Sequence, residues 1–332
     1  MTPILAVLGG FVLLIFGGEL LVRGAVRAAS QLGVSPLLIG ITLVGFGTSA
    51  PEMVISLQAA ASGSPGIAIG NFVGSSISNI LLILGITALV APVDVSSQAL
   101  NRDGTVVLLT AFIFSMVCVF LPYDQVVGTI FLIWLAGYLI YAWRQERVGA
   151  EDGHTAPMQK AEAYWALHDS NLRQRFYRHM KHGLGRAMPA FIAVFGLLII
   201  VAGGRLLVDG AVQLARDYHV SEAIIGLTIV AVGTSMPELV TSMVAAARGH
   251  TAVAIGNILG SNIYNILGVG GITALVIPSD IPARIIWYDN PVMVGASIAL
   301  VIFARSGAQL SRWEGAVLLA GYIIYIISLW PT

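Results

Sequence analysis

The sequence predicts an all-α membrane protein of ten transmembrane helices, arranged as two inverted five-helix repeats. Three observations predict it. Of 332 residues, 57% are hydrophobic and only 10% are charged, with a mean hydropathy of +0.87; a soluble domain carries about 25% charged residues. Apolar runs long enough to cross a bilayer, about 20 residues each, recur along nearly the whole chain. The two halves also match one another at a single fixed separation.

The apolar runs cover residues 3–28, 35–61, 66–92, 103–121 and 124–143, then 187–213, 221–247, 252–278, 289–304 and 313–330. The polar segment 144–186, with His154, His168, His179 and His182, reads as a solvated connector with room for one interfacial helix. The chain therefore divides into a first five-helix repeat at 1–143, a connector at 144–186 and a second repeat at 187–332. The start, Met1-Thr2-Pro3, has no basic region, and the first apolar run belongs to the repeat, so it does not read as a cleaved signal peptide. The single cysteine, Cys118, sits inside an apolar run and reads as packing.

The repeat runs at a separation of 186 residues. Gly47-Thr48-Ser49-Ala50-Pro51-Glu52 aligns with Gly233-Thr234-Ser235-Met236-Pro237-Glu238, and Ala68-Ile69-Gly70-Asn71 with Ala254-Ile255-Gly256-Asn257. Ser75 and Asn79 align with Ser261 and Asn265, and Asp103 with Asp289; from Gly47 to Asn79, 19 of 33 positions are identical. Near the ends, Ala136-Gly137-Tyr138 aligns with Ala320-Gly321-Tyr322 across a small deletion. Five helices is an odd number, so the second repeat enters from the opposite side, the plan of many secondary transporters. With 144–186 in the cytoplasm, 14 of the 17 Lys and Arg fall on the cytoplasmic side, as expected of an inner (plasma) membrane protein whose termini are both extracytoplasmic. That rule accounts for the basic loop. With a formal net charge of zero, nothing points to nucleic acid, and no protein partner is evident.

Glu52 and Glu238 each lie well inside an apolar span. A carboxylate at that depth costs several kcal/mol and usually faces a cavity on an ion path. A structural salt bridge would need Arg or Lys at similar depth, and spans two, three, seven and eight contain none. Pro51 and Pro237 lack an N–H and clash with the carbonyl four residues back. They leave backbone oxygens near Gly47, Thr48, Gly233 and Thr234 without helical partners. Such backbone is tolerated at membrane depth where it is buried in protein or lines a cavity. Thr48, Ser49, Thr234 and Ser235 add hydroxyls, although the same Thr-Ser-x-Pro could simply kink a helix. Asn71, Ser75 and Asn79, like Asn257, Ser261 and Asn265, recur every four residues as one polar stripe. Each stripe could line a site or only hold the bundle together. Gly70, Gly74, Gly256 and Gly260 suit close helix approach. Every candidate ligand is an oxygen, which selects hard cations over zinc or copper. Two carboxylates neutralise one Ca²⁺, and Na⁺ of similar size could compete for the same cage. No prosthetic group is called for. Enzyme chemistry finds no embedded His or Lys base beside the serines.

At these motifs the chain resembles the cation/calcium exchanger superfamily, most closely its prokaryotic sodium/calcium exchanger branch. Gly-Thr-Ser-Ala-Pro-Glu with Gly-Asn-Phe-Val-Gly-Ser, and Gly-Thr-Ser-Met-Pro-Glu with Gly-Asn-Ile-Leu-Gly-Ser-Asn, carry the likeness. The resemblance implies that Glu52 and Glu238 bind Ca²⁺ with backbone oxygens of Thr48 and Thr234. It implies Na⁺ sites at Ser49, Ser75, Ser235 and Ser261, and a central position at Asn79 and Asn265. It further implies alternating access, with spans one and six sliding on surfaces that include Gly17-Gly18 and Gly203-Gly204. Some sodium/calcium exchangers carry Asp where Asn265 stands, which bears on coupling ratio and K⁺ dependence. Proton/calcium exchangers place an acidic residue shortly after Gly-Asn; here Phe72-Val73 and Ile258-Leu259 follow, favouring Na⁺. H⁺-coupled or K⁺-dependent exchange, and a passive cation channel, are the alternatives.

Overall fold

The computed structural model describes residues 2–95, 99–151, 184–218 and 231–329. Most of the connector, including the stretch offered as an interfacial helix, lies outside the described residues.

Helix α1 (Pro3–Leu32) starts on a proline and stops at Gly33, whose φ of 67° needs no Cβ. Helix α2 (Pro36–Ala61) starts at Ser35, whose hydroxyl accepts the Leu38 N–H at 3.1 Å. Helix α3 (Pro65–Val90) is followed by strand β1 (Val93–Asp94), α4 (Asn101–Phe120) and α5 (Gln125–Glu146). The α5 helix runs on to Glu151, beyond the apolar run that marks it in the sequence. Asp124 caps it, accepting from Val126 and Val127 N–H at 3.0 and 3.1 Å. The second half contributes α6 (Ala187–Leu214), α7 (Met236–Ala247), α8 (Thr251–Val276), α9 (Ile285–Arg305), strand β2 (Gln309–Leu310) and α10 (Arg312–Leu329). Among the described residues nine helices are long and apolar enough to span a bilayer. The described part of the seventh, α7, is shorter, and 219–230 just before it lie outside the described residues.

The fold is inside-out in the manner of a membrane protein. Buried polar groups line the inner helices, α3 and α8 among them, and 89% of the most apolar stretch of α8 is buried, against 17% in α10. Ile, Leu and Phe side chains such as Leu8, Phe11, Ile15, Ile130, Ile133 and Phe195 face outward.

Two close approaches organise the helices. Gly10 and Gly17 on α1 meet Gly203 and Gly196 on α6: a Cβ at Gly10 would lie 2.8 Å from Gly203 O, and one at Gly17 2.8 Å from Gly196 O. Gly24 and Gly210 extend the seam in each direction against Ala193 and Pro3. These glycines recur every seven residues, so one face of each helix is stripped to backbone. On α8, a Cβ at Gly256 would lie 3.1 Å from the Gly40 Cα, and one at Gly260 2.6 Å from Ile41 O, pressing α8 onto α2. Gly70 and Gly74 meet no described atom within 4 Å; the corresponding segment of the second half lies outside the described residues.

The internal symmetry is visible in backbone detail. Wide π-turns interrupt α3 at Asn79–Leu84 and α8 at Tyr264–Gly270, and others open α4 (Ala99–Gly104) and α9 (Ile285–Asp289). Tyr138 donates to Asp103 Oδ1, and Tyr325 to Asp289 Oδ1, each at 2.9 Å. Gly128 packs on Gly271, and Gly315 packs on Gly85. The partner of Tyr138 is therefore Tyr325, not Tyr322, and the separation in the last helix is 187 (315 less 128). The Ala-Gly-Tyr alignment is corrected accordingly: the second half holds one extra residue between Asp289 and Gly315, not a deletion. Asp103 is also held by Arg102 in a buried fork, at 2.6 and 3.0 Å, and Arg102 reaches Glu146 at 3.0 Å.

The α1–α6 pair breaks the symmetry. A Cβ at Gly18 would lie 3.0 Å from Val240 and 3.1 Å from Val244 on α7. At the equivalent Gly204, the only described atom within 4 Å is Met236 Cβ at 3.8 Å. Val54 and Gln58, the counterparts of Val240 and Val244, are exposed. At the same end as Gly18, Arg248 Nη2 pairs with Glu19 Oε2 at 2.8 Å.

Candidate cation site

Helix α2 breaks at Ser49 (φ −83°, ψ −1°) and the chain breaks at Ser235 (φ −89°, ψ 9°), each just before the Pro-Glu pair. The prolines act as expected: the turn cannot close, and the helix restarts with Glu52 or Glu238 in its first turn. Both glutamates are only 1% exposed. They are close enough to interact electrostatically, and the Glu238 carboxyl faces the hydroxyls of Thr48 and Ser49. Neither glutamate takes part in a salt bridge among the described residues; those ion pairs use Glu19, Asp103, Glu146 and Asp289.

Helices α3 and α8 form the opposite wall. Asn71 Nδ2 donates to Glu52 O at 3.1 Å and to Ser56 Oγ at 3.0 Å. Asn257 Nδ2 donates to Glu238 O at 3.3 Å and to Ser242 Oγ at 3.0 Å. Both asparagines make the interhelical bond. Thr48 Oγ1 crosses between the halves, donating to Asn257 Oδ1 at 3.0 Å and lying 3.2 Å from Ser261 Oγ.

Ser49, Ser75, Asn79, Ser235, Ser261 and Asn265 are all buried, and Thr234 is half-buried. Hydrogen bonds thus join Thr48 to Asn257 and Ser261, with the interacting Glu238 and Glu52 carboxyl groups close by. Ser75, Asn79, Ser235 and Asn265 are buried along the same helices. Both oxygens of Glu52, Oε2 of Glu238, Oγ of Ser49 and both amide heads, Asn79 and Asn265, have no hydrogen-bond partner. An unsatisfied buried polar group costs about 1–3 kcal/mol, and a charged one more. Buried groups of this kind are candidates to hold a cation. The oxygens are of the kinds that hold Na⁺ or Ca²⁺. No cluster of three or more His, Cys, Asp or Glu exists among the described residues, so two carboxylates carry the acidic charge.

Sequence reasoning missed three features. The π-turns at Asn79 and Asn265 had no compositional signal. Ser56 and Ser242 match at the repeat separation and lie one turn after each glutamate, which could have marked them. Thr241, fully buried with an unpartnered hydroxyl, stands where the first half has Ile55 and so escaped a search for matched pairs.

The comparisons agree with this architecture. The family described as sodium/calcium exchanger protein matches residues 2–144 and 188–330. A putative antiporter, CaxA of Alkalimonas amylolytica, is 34% identical, with 96% of each chain covered. The sodium/calcium exchanger MaX1 of Methanosarcina acetivorans is 32% identical over 98% of this chain and 97% of its own. A solved structure of the sodium-calcium exchanger NCX_Mj, soaked with 2.5 mM Na⁺ and 0.1 mM Ca²⁺, matches with a TM-score of 0.81 and 30% identity over the full length of both chains. The chain belongs to the sodium/calcium exchanger family.

Proposed function

We propose that the protein is a secondary active antiporter that exchanges Ca²⁺ for Na⁺ at the Glu52–Glu238 site by alternating access. The observation that carries this reading is the approach of two buried carboxyl groups, one from each inverted half and neither in a salt bridge among the described residues, beside the hydroxyls of Thr48 and Ser49. Ca²⁺ sits between the carboxylates with backbone oxygens of Thr48 and Thr234. Na⁺ replaces it, using Ser49, Ser75, Ser235 and Ser261, with Asn79 and Asn265 at the centre. With a site charge near −2, three Na⁺ leave one positive charge to be moved, so exchange is electrogenic.

The connector 144–186 is cytoplasmic in this reading, and both termini are outside. The Glu19–Arg248 end then faces the cytoplasm. There α1 is packed against α7, while the equivalent surface between α6 and α2 is open towards the outside. That asymmetry supports an outward-facing arrangement, and sliding of the α1–α6 pair would exchange the two sides.

The test is ⁴⁵Ca²⁺ uptake into Na⁺-loaded proteoliposomes. Uptake is expected to follow the Na⁺ gradient and to be nearly abolished by Glu52→Gln or Glu238→Gln. Uptake that ignores Na⁺ but follows an H⁺ gradient, or that requires K⁺, would replace Na⁺ as the coupling ion.

A further inference from the structure

We infer that Asn257 is a positioning residue that draws the hydroxyl proton of Thr48 away from the bound cation, so that the Thr48 hydroxyl oxygen presents a lone pair to it beside the backbone oxygen of the same residue. The inference rests on the cation-site reading above. It starts from the amide's own chemistry. Glu238 O is a carbonyl and can only accept, so the NH₂ of Asn257 must face it, at 3.3 Å. The second amide proton goes to Ser242 Oγ at 3.0 Å. The orientation of the amide is thereby settled, and Oδ1 is turned towards the other half of the molecule. There it meets Thr48 Oγ1 at 3.0 Å. Oδ1 has no proton, so the threonine must donate.

Thr48 has one proton and several acceptors around it. Gly45 O is a poorer acceptor at 3.3 Å, and Ser261 Oγ lies at 3.2 Å. The Glu238 carboxyl is also within reach. A cation held between the carboxylates repels any hydroxyl proton aimed at it. With the cation bound, the proton is best placed on Asn257 Oδ1, the shortest of the contacts and the one fixed by two further hydrogen bonds. All these groups are buried: Thr48, Asn257, Ser242 and Ser261 are 0% exposed. Water cannot take over the role cheaply. Asn71 repeats the donor half of the device, bonding to Glu52 O and Ser56 Oγ at 3.1 and 3.0 Å.

The experiment is a double-mutant cycle between Asn257 and Thr48, read as equilibrium ⁴⁵Ca²⁺ binding to detergent-purified protein, with Na⁺-driven exchange measured in parallel. Asn257→Ala is expected to weaken Ca²⁺ binding roughly tenfold. In a Thr48→Val background the same change should cost less than about twofold, because the hydroxyl it orients is gone. If the alanine variant does not fold, Asn257→Ser takes its place in the same cycle, since it also removes the amide oxygen that faces Thr48. Effects of Asn257 and Thr48 that simply multiply would overturn the inference, since a purely structural asparagine has no reason to lose its effect with one hydroxyl. Coupled binding without Na⁺-driven exchange would sink the antiport reading and leave the role of Asn257 standing. Absence of any Ca²⁺ binding by the unaltered protein would overturn both.

Discussion

Glu52 and Glu238 set a conflict between stability and function at the scale of single residues. Two carboxylates in a dry core repel one another and lack partners of opposite charge. Removing such a charge relieves the ion-free protein, whereas removing one partner of a satisfied pair would harm it. Glu52→Gln is therefore expected to raise the thermal midpoint of the ion-free protein by a few degrees, a change of about 1–3 kcal/mol. The stabilisation that Ca²⁺ gives by binding the folded state should vanish in the same variant. Thermal melts with and without Ca²⁺ read both effects. A midpoint that falls in the absence of ions, with the Ca²⁺ effect retained, would mean that Glu52 holds the fold and not the cation. The residues with this character were legible in the sequence, because a Glu after Thr-Ser-x-Pro in an apolar run has no structural partner available. The clamping role of Asn71 and Asn257 was not: a polar stripe says which face a residue occupies, not which of two neighbouring helices it bonds.

Among the described elements, the contact within the α1–α6 pair is close and symmetric, although its packing on α7 and α2 is not. Gly10 meets Gly203 and Gly17 meets Gly196, so the contact maps onto itself when the halves are exchanged. Lipid offers no hydrophobic drive for helix association, and backbone contact across small residues supplies the packing instead. Gly17→Leu must displace the backbone of α6, since even a Cβ there lies 2.8 Å from Gly196 O. It is expected to abolish folded expression or exchange, whereas Gly137→Ala, at a glycine with no described atom within 4 Å, should be near neutral. Size-exclusion profiles and flux compare the two; equal tolerance would mean the seam is looser than drawn. The helices themselves, and their breaks at Ser49 and Ser235, were readable from apolar length and proline placement. The π-turns were not, because inserting one residue into a helical turn leaves composition unchanged. The last helix was placed in the wrong register because three identical residues, Ala-Gly-Tyr, outweighed a one-residue shift that only the Asp103–Tyr138 and Asp289–Tyr325 pairs reveal.

For the whole molecule the question is what would hold the α1–α6 pair to one side under the alternating access proposed above. In that reading the repeat makes the two orientations of α1–α6 nearly equivalent, so a small term at one end decides their populations. Glu19 supplies such a term. It lies on α1, and it pairs with Arg248 at the end of α7 and with Arg23 one turn along its own helix. The equivalent positions in the other half are Arg205 and Ser62, which cannot form that pair. The latch therefore acts at one end only, and it stabilises the arrangement in which α1 is closed on α7. Arg248 is half exposed, so the pair contributes about 0.2–1 kcal/mol, roughly a 1.4- to fivefold shift in population and no more. Glu19→Gln should move the equilibrium by that factor towards the opposite arrangement, and high salt should do the same to the unaltered protein. A Val54→Cys reporter measures it, since Val54 is 49% exposed beside the open surface of α2. Labelling by a membrane-impermeant maleimide from the outside should slow when Glu19 is neutralised, with the buried Cys118 giving little background. The charge swap Glu19→Arg with Arg248→Glu should recover part of the original rate, because that pair is re-formed with its signs reversed while the contact with Arg23 is lost. A labelling rate indifferent to Glu19, to salt and to the swap would mean that packing of Gly18 against Val240 and Val244 sets the balance alone.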